Sequence, residues 1–258
     1  MKKSVLIVVL LAATGVQAQE LQSVSSRVDR VSKYVSGFLN EFSDVKCTEH
    51  VVQAKLTPSG KNEYSEESTL DYLVIMQGGD GDLLLSESRL QEKEARHSKQ
   101  LPMLVTNGFS TLFLVFHPYY RESFTFTFVG EEVVDGKKLA RIRFDHILGS
   151  RTPMALAVRG REYPLQLTGF ALVDDSSGAI SKIEAGLVAP MDDIGLRALQ
   201  TKVDYAPMPS KGADQTYRFP MLASVEVQTL KQHWRNVHRF SDYKRFSVNT
   251  EVSLAEKK

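Results

Sequence analysis

The sequence predicts a mainly β protein of the α+β kind, built on one large antiparallel sheet with an N-terminal helix. Apolar residues first recur at alternating spacings of three and four, which is typical of an amphipathic helix. From Asp44 onward they recur at every second position, as they do in strands. About ten strand segments follow with few helices between them, and this pattern favours antiparallel pairing.

The first eighteen residues are typical of a signal peptide. Lys2 and Lys3 precede an apolar run of about a dozen residues, and Val16-Gln17-Ala18 fits a signal-peptidase site. The run is short for a bilayer span, which needs about 20 residues, so we expect no stable membrane span. An uncleaved anchor is the alternative. We expect cleavage near Ala18 and a periplasmic or secreted single domain of residues 19–258.

Charge and cysteine content exclude several classes of protein. Removal of Lys2 and Lys3 from 32 basic side chains leaves 30, against 31 acidic ones. This balance gives no general attraction to nucleic acid or to anionic lipid, and no nucleic-acid partner is expected. Cys47 is the only cysteine, so no intrachain disulfide can form. We expect its thiol to be packed away as a small hydrophobe.

Two helical segments are predicted. In residues 21–42, apolar side chains share one face: Leu21, Val24, Val28, Val31, Val35, Phe38 and Phe42. Packing against the sheet is the expected use of this face, and a short coiled coil is the alternative. A second helical segment at 108–116 ends before Pro118 and places these residues on one face: Phe109, Leu112, Phe113 and Phe116.

The strands follow in chain order. Turn signals separate them, among them Asp135-Gly136 and the residues of 174–178. The predicted strands are 45–56, a second one running through 72–76, 83–90, 123–129, 137–146, 165–173, 179–188, near 196–205, near 219–230 and near 233–250.

The hairpin around Asp135-Gly136 requires an irregular register. Three phenylalanines alternate with threonines in SFTFTFV, residues 123–129. A simple two-residue turn would pair Phe128 with Arg143 and place the apolar side chains of the returning strand on the wrong face. A one-residue β-bulge at Gly130 restores the match, so the sequence predicts a bulge there.

No metal-binding pattern emerges. The six histidines form no HExxH or HxH sequence. His233 and His238 are separated by an odd number of positions and would lie on opposite faces of one strand. Asp80 and Asp82 resemble the start of a calcium loop, but Gln91 occupies the position of its closing glutamate. We expect no metal and no cofactor.

The case for catalysis is weak. The stretch GFSTL, residues 108–112, begins like a nucleophile elbow but ends in leucine instead of glycine. No phosphate-binding glycine motif is present. We therefore expect a protein that is not an enzyme, and a periplasmic hydrolase acting through Ser110 is the least favoured function.

Two hairpins carry a resemblance to a known family. VGEEVVDGKKLARIRFD (129–145) and LTGFALVDDSSGAISKIEAG (167–186) resemble the paired hairpins of the LolA/LolB-like periplasmic lipoprotein-carrier superfamily, which includes the lipid-sensing domain of RseB. The positions that match its patterns are Val134, Gly136, Ala140 and Ile142 in the first hairpin, and Asp174, Gly178 and Ile180 in the second. The usual tryptophan is replaced by Ala171 or Leu172.

This resemblance implies a single LolA-like domain with a curved, unclosed half-barrel sheet and helices covering its concave face. The implied function is binding of lipid or lipoprotein acyl chains in an apolar cavity, as a carrier or sensor and without chemical change. The candidate ligand-binding residues are Phe109, Phe113 and Phe116 on the lid, and Phe124, Phe126, Phe128, Ile142 and Phe144 on the concave face.

The residues themselves leave an alternative open. Helices and sheet can fill each other completely, which gives an ordinary core. The protein would then be an envelope interaction module that docks another protein. In either case we expect a monomer.

Overall fold

Ten strands form one antiparallel sheet in the computed structural model, which describes residues 5–43, 45–79, 82–91, 106, 108–158, 161–207 and 217–245. The order across the sheet is β3-β2-β1-β12-β11-β10-β9-β8-β5-β4. Its strands are β1 Val45–Leu56, β2 Asn62–Gly79, β3 Asp82–Gln91, β4 Phe124–Val134, β5 Lys137–His146, β8 Leu167–Val173, β9 Ile180–Leu187, β10 Leu196–Pro207, β11 Arg218–Thr229 and β12 His233–Arg245. The terminal strands β3 and β4 are not paired with each other. The predicted class, mainly β with one unclosed antiparallel sheet, is confirmed.

The other elements connect or cover the sheet. They are α1 Val5–Phe42, a 3-10 helix Phe109–Phe116, α2 Pro118–Arg121, and a separate hairpin of β6 Ala155–Val158 and β7 Arg161–Pro164. This hairpin was not predicted, because strands of four residues carry too few positions for a period-two signal. Among the described residues, no helix combines the length and the apolar character needed to cross a bilayer.

The predicted bulge at Gly130 is confirmed. Phe126 pairs with Phe144 and Phe128 with Ile142, and the register shifts between Phe128 and Gly130. Gly130 has a φ of 130°, a value that favours glycine. The bulge therefore places the phenylalanines of β4 on the same face as the apolar residues of β5.

Helix α1 covers one face of the sheet, which we call the inner face. The helix is longer than predicted and begins at Val5, although the side chains of residues 5–22 lie outside the described part. Its apolar stripe is buried as predicted, with Val31, Val35, Phe38 and Phe42 at most 2% exposed. The Phe38 ring lies 5.2 Å from that of Phe219 on β11, so α1 packs on the middle of the sheet.

The segment at 108–116 differs from its prediction. It is a 3-10 helix, and its side chains from Ser110 to Phe116 are buried, not only those of one face. The reason is its position, since it contacts both α1 and the inner face of the sheet. Its apolar residues therefore pack on more than one side. This segment therefore fills the interior between α1 and the sheet.

Candidate functional site

The residues predicted to line a cavity lie together on the inner side of the sheet. Five of them are at most 5% exposed: Phe113, Phe116, Phe124, Ile142 and Phe144. Phe126 and Phe128 are half-buried and pack against the same core. The side chain of Phe109 lies outside the described residues. The set is therefore assembled, but most of its members are enclosed by the protein itself.

Aromatic contacts show what fills this interior. The Phe116 ring stacks on Phe126 with 5.1 Å between centroids and meets the edge of Phe144 at 6.2 Å. Phe113 meets Phe38 of α1 at 5.0 Å. Such pairs contribute about 0.5–1.5 kcal/mol each beyond the area that they bury. The 3-10 helix thus joins α1 to the sheet by a continuous aromatic core.

Ion pairs at the surface hold α1 in place. Asp175, in the turn between β8 and β9, pairs with Arg27 at 3.0 Å and with Arg30 at 2.9 Å. Asp29 pairs with Arg121 of α2 at 2.6 Å. Burial of the Asp175 carboxyl tends to raise its pKa, but the two guanidinium groups outweigh it and lower that pKa below its usual range. These side chains are partly exposed, so each pair is worth at most about 1 kcal/mol.

A crevice opens beside α1, between this helix and β4. Its volume is about 240 Å³. Val24 and Val28 of α1 line it together with Phe124 and Phe126 of β4, and Asp29 lies at the same crevice. We call this opening the α1–β4 crevice. Ser25, Arg121 and Glu122 complete its lining, so two predicted ligand-binding phenylalanines lie at an opening with an apolar part and a charged part.

A second and larger cavity lies beside the other terminal strand of the sheet. Its volume is about 500 Å³, within the range of about 300–1,000 Å³ that is typical of ligand pockets. Its walls come from β3, the 3-10 helix, α2 and the β6–β7 hairpin. We call it the β3 cavity. The described residues that line it are Leu83, Leu85, Ser86, Glu87, Gly108, Thr111, Leu114, Tyr120, Thr152, Pro153, Met154, Ala155 and Glu162.

A buried polar network adjoins this cavity, and the sequence analysis missed it. Arg89 on β3 donates to Glu49 on β1 through Nε at 2.6 Å and Nη2 at 3.0 Å. His238 Nδ1 lies 2.8 Å from Glu49 Oε1, and its Nε2 lies 2.7 Å from Thr106 Oγ1. Glu49 is fully buried. The one sign of this network in the sequence is Glu49 itself, a charged residue at an inward-facing position of a strand in which apolar and polar residues alternate.

The same network holds the start of the 3-10 helix. Glu87 Oε1 accepts the backbone N–H of Gly108 at 2.8 Å and the Ser110 hydroxyl at 3.2 Å. The Ser110 hydroxyl also lies 2.5 Å from the Tyr72 hydroxyl. Burial raises the pKa of Tyr72 well above its usual value. Ser110 is therefore a buried residue whose hydroxyl lies between a tyrosine and a carboxylate.

This network makes stability depend on pH. Burial tends to raise the pKa of Glu49, but hydrogen bonds from His238 and Arg89 outweigh it and lower that pKa. A carboxyl whose folded pKa is lowered stabilises the fold above its unfolded pKa, and this contribution disappears as pH falls through the folded value. We expect urea midpoints to fall between pH 5 and pH 3, and we expect this slope to be smaller in Glu49→Gln. An equal slope in the variant contradicts the assignment.

Two smaller predictions, on Cys47 and on the histidines of β12, are confirmed. Cys47 is 3% exposed and packs in the core, which confirms the expectation of a buried thiol, and burial raises its pKa to about 12. His233 bonds to Glu226 at 2.7 Å, away from His238, so the expected opposite orientation of the two histidines is confirmed. In the described ranges, no three His, Cys, Asp or Glu side chains form a group that could hold a metal ion.

Comparison with known proteins gives similarities to solved structures only. No protein-family model matches the chain, and no curated protein matches it. A LolA superfamily protein from Nitrosomonas europaea is 11% identical, with a TM-score of 0.39 and coverage of 87% of this chain and 94% of that chain. A DUF1329 family protein from Desulfovibrio piger is 14% identical, with a TM-score of 0.46 and coverage of 88% and 95%.

A third structure is an outer membrane lipoprotein-sorting protein domain from Vibrio parahaemolyticus. It is 10% identical, with a TM-score of 0.41 and coverage of 91% of this chain and 95% of that domain. Each of the three is similar to this chain in fold alone. The first belongs to the superfamily that the two hairpins resemble.

Proposed function

We propose that this protein is an exported, non-catalytic carrier or sensor that binds the acyl chains of a lipid or a lipoprotein. The chains enter at the α1–β4 crevice. One observation carries the proposal. The half-buried Phe126 and the edge of the buried Phe124, both at the border of an aromatic inner face, line an opening between a helix and a terminal strand. The signal-peptide pattern of residues 1–18 and the resemblance of the two hairpins support it.

The energetics favour a partial displacement of α1. Moving Val24 and Val28 away from the crevice costs about 3–6 kcal/mol in lost burial, taking about 1.5–3 kcal/mol for each side chain. About four to eight methylenes of a ligand restore that amount at about 0.8 kcal/mol each. Displacing the whole helix would also expose Phe38 and Phe42, which are buried in the core. The ligand is therefore expected to displace only the Val24 end of α1 from the inner face of the sheet.

A second function is favoured by the filled interior. Phe113, Phe116, Ile142 and Phe144 are at most 1% exposed, as in the core of a protein that holds no ligand. Such a protein would act in the envelope by docking a protein partner. Native mass spectrometry distinguishes the two functions, because only the first predicts lipid bound to gently purified protein.

Uptake of a neutral fluorescent monoacylglycerol provides the direct test. We expect saturable binding to the native protein. In Phe126→Asp the affinity should fall by at least about tenfold, because a bound acyl chain would remove the new carboxylate from water, which costs free energy. Val24→Asp places the same charge on the helix side of the crevice and should act in the same direction. Affinity would be measured by fluorescence titration.

The matched control lies on the same strand. Val133 is 65% exposed and is not among the residues lining the crevice, so Val133→Asp should bind as the native protein does. Thermal melting establishes that each variant folds. Equal affinity for all four proteins would refute uptake at this crevice, as would native protein that neither carries lipid nor binds the probe.

A further inference from the structure

The β3 cavity has an uneven wall. One part is apolar and includes Leu83, Leu85, Leu114 and Met154. The other part carries the carboxylates of Glu87 and Glu162, and none of the described residues that line the cavity is basic. A cavity of this composition matches an amphiphile, with its chain on the leucines and its polar end at the carboxylates.

Two carboxylates share one guanidinium group behind this wall. Glu49 and Glu87 both pair with Arg89, at 2.6 Å and 2.9 Å. The side chain of Glu49 is fully buried and that of Glu87 is 6% exposed. Hydrogen-bond contacts also join Asn236 to Thr106, Thr106 to His238 and His238 to Glu49. Among the described residues, the Arg89 guanidinium therefore lies between two buried carboxylates.

One oxygen of Glu87 lacks a hydrogen bond among the described residues. Its Oε2 atom is buried and accepts no hydrogen bond in the described part of the structure, although Arg89 Nη1 lies 2.9 Å away. The two observations agree if the guanidinium attracts this oxygen without the alignment that a hydrogen bond needs. A buried carboxylate oxygen without a hydrogen bond is stabilised by a donor, and a cationic donor contributes most.

From this geometry we propose that the β3 cavity binds a cationic amphiphile, with an alkylammonium group at Glu87 and an apolar chain against Leu83, Leu85 and Leu114. The site is separate from the α1–β4 crevice. Tyr120 of α2 lines the β3 cavity, whereas Arg121 lines the crevice, so α2 lies between the two. Occupation of the site does not depend on whether the crevice takes up acyl chains.

Calorimetric titration with three ten-carbon probes tests the proposal. Decylammonium, decanol and decanoate have the same chain and differ in charge, and each is used below its critical micelle concentration. We expect decylammonium to bind at least about tenfold more tightly than decanol, and decanoate to bind most weakly. In Glu87→Gln the preference for the ammonium over the alcohol should fall to about one, because the charge that attracts the ammonium is removed. The amide oxygen can still accept from Gly108 and Ser110, so the local structure should be kept.

Control variants separate charge, site and fold. Glu131→Gln removes a 51% exposed carboxylate elsewhere and should leave the preference unchanged. Ala155→Trp fills the cavity and should abolish decylammonium binding, whereas Ala157→Trp, two positions along β6 and not among the lining residues, should not. Phe126→Asp should also leave this binding intact, which distinguishes the site from the crevice.

The proposal fails on any of three results. These are no binding of decylammonium, a preference that survives Glu87→Gln in a folded variant, and binding unaffected by Ala155→Trp. None of these results concerns uptake of the monoacylglycerol probe at the crevice. Failure of the proposed uptake at the α1–β4 crevice would show as native protein that does not bind the monoacylglycerol probe, whether or not it binds decylammonium.

Discussion

Replacing Arg89 by alanine is expected to lower the free energy of unfolding by about 3–5 kcal/mol, the usual result of breaking a buried ion pair from one side. The Arg89 guanidinium lies between the carboxylates of Glu49 and Glu87 and pairs with both. Without it, both carboxylates are left in the core with no positive partner from β3. For a domain of this size the loss corresponds to a decrease in melting temperature of about 6–20 °C.

Arg197→Ala is the matched control for Arg89→Ala. Arg197 also pairs with a carboxylate, that of Asp192 at 2.8 Å, but the two side chains are 45% and 75% exposed. Its loss should change the melting temperature little, because surface pairs are worth about 0–1 kcal/mol. Similar melting temperatures for the two variants would mean that the network around Glu49 does not stabilise the fold.

Replacing Gly178 by alanine is expected to detach the Val24 end of α1 from the sheet. Gly178 lies in the turn between β8 and β9, with a φ of 76°, and a Cβ atom placed there would lie 2.6 Å from the carbonyl oxygen of Arg30. That distance is too short for a non-bonded contact, and the obstacle is backbone that cannot rotate away. The helix must therefore move, which also separates Arg27 and Arg30 from Asp175.

Hydrogen exchange of residues 23–35, measured by mass spectrometry, reports this movement. We expect faster exchange in Gly178→Ala and faster uptake of the monoacylglycerol probe. Gly136→Ala is the matched control, since Gly136 has the same φ of 76° and no atom within 4 Å of the added Cβ. Both variants carry the backbone strain of about 1–2 kcal/mol, and only one carries the collision. Equal exchange in the two would show that this turn does not position the helix.

Local patterns in the sequence predicted much of the fold. The bounds of β1 and the bulge at Gly130 follow from alternation and from one glycine between two apolar strands. The stripe of α1 follows in the same way from helical spacing. These features depend on residues that are close in sequence, where period and turn chemistry act directly.

The polar network depends on residues that are distant in sequence. Glu49 is separated from Arg89 by 40 positions and from His238 by 189. No periodicity links such positions, and a charged residue at an inward strand position has no partner until the strand order is known. The two cavities were not predictable for the same reason, because their walls come from elements that only the tertiary fold brings together.

The pairing of β1 with β12 has a consequence for how the chain folds. These strands meet in the middle of the sheet although they come from nearly opposite ends of the described sequence, as the pair Val45 and Arg245 illustrates. Strand pairings between distant residues form slowly, since a long loop must close first. The two halves of the sheet therefore cannot join until the last strand has been synthesised. Before that moment the polypeptide remains incompletely folded, with β1 lacking one of its two neighbouring strands.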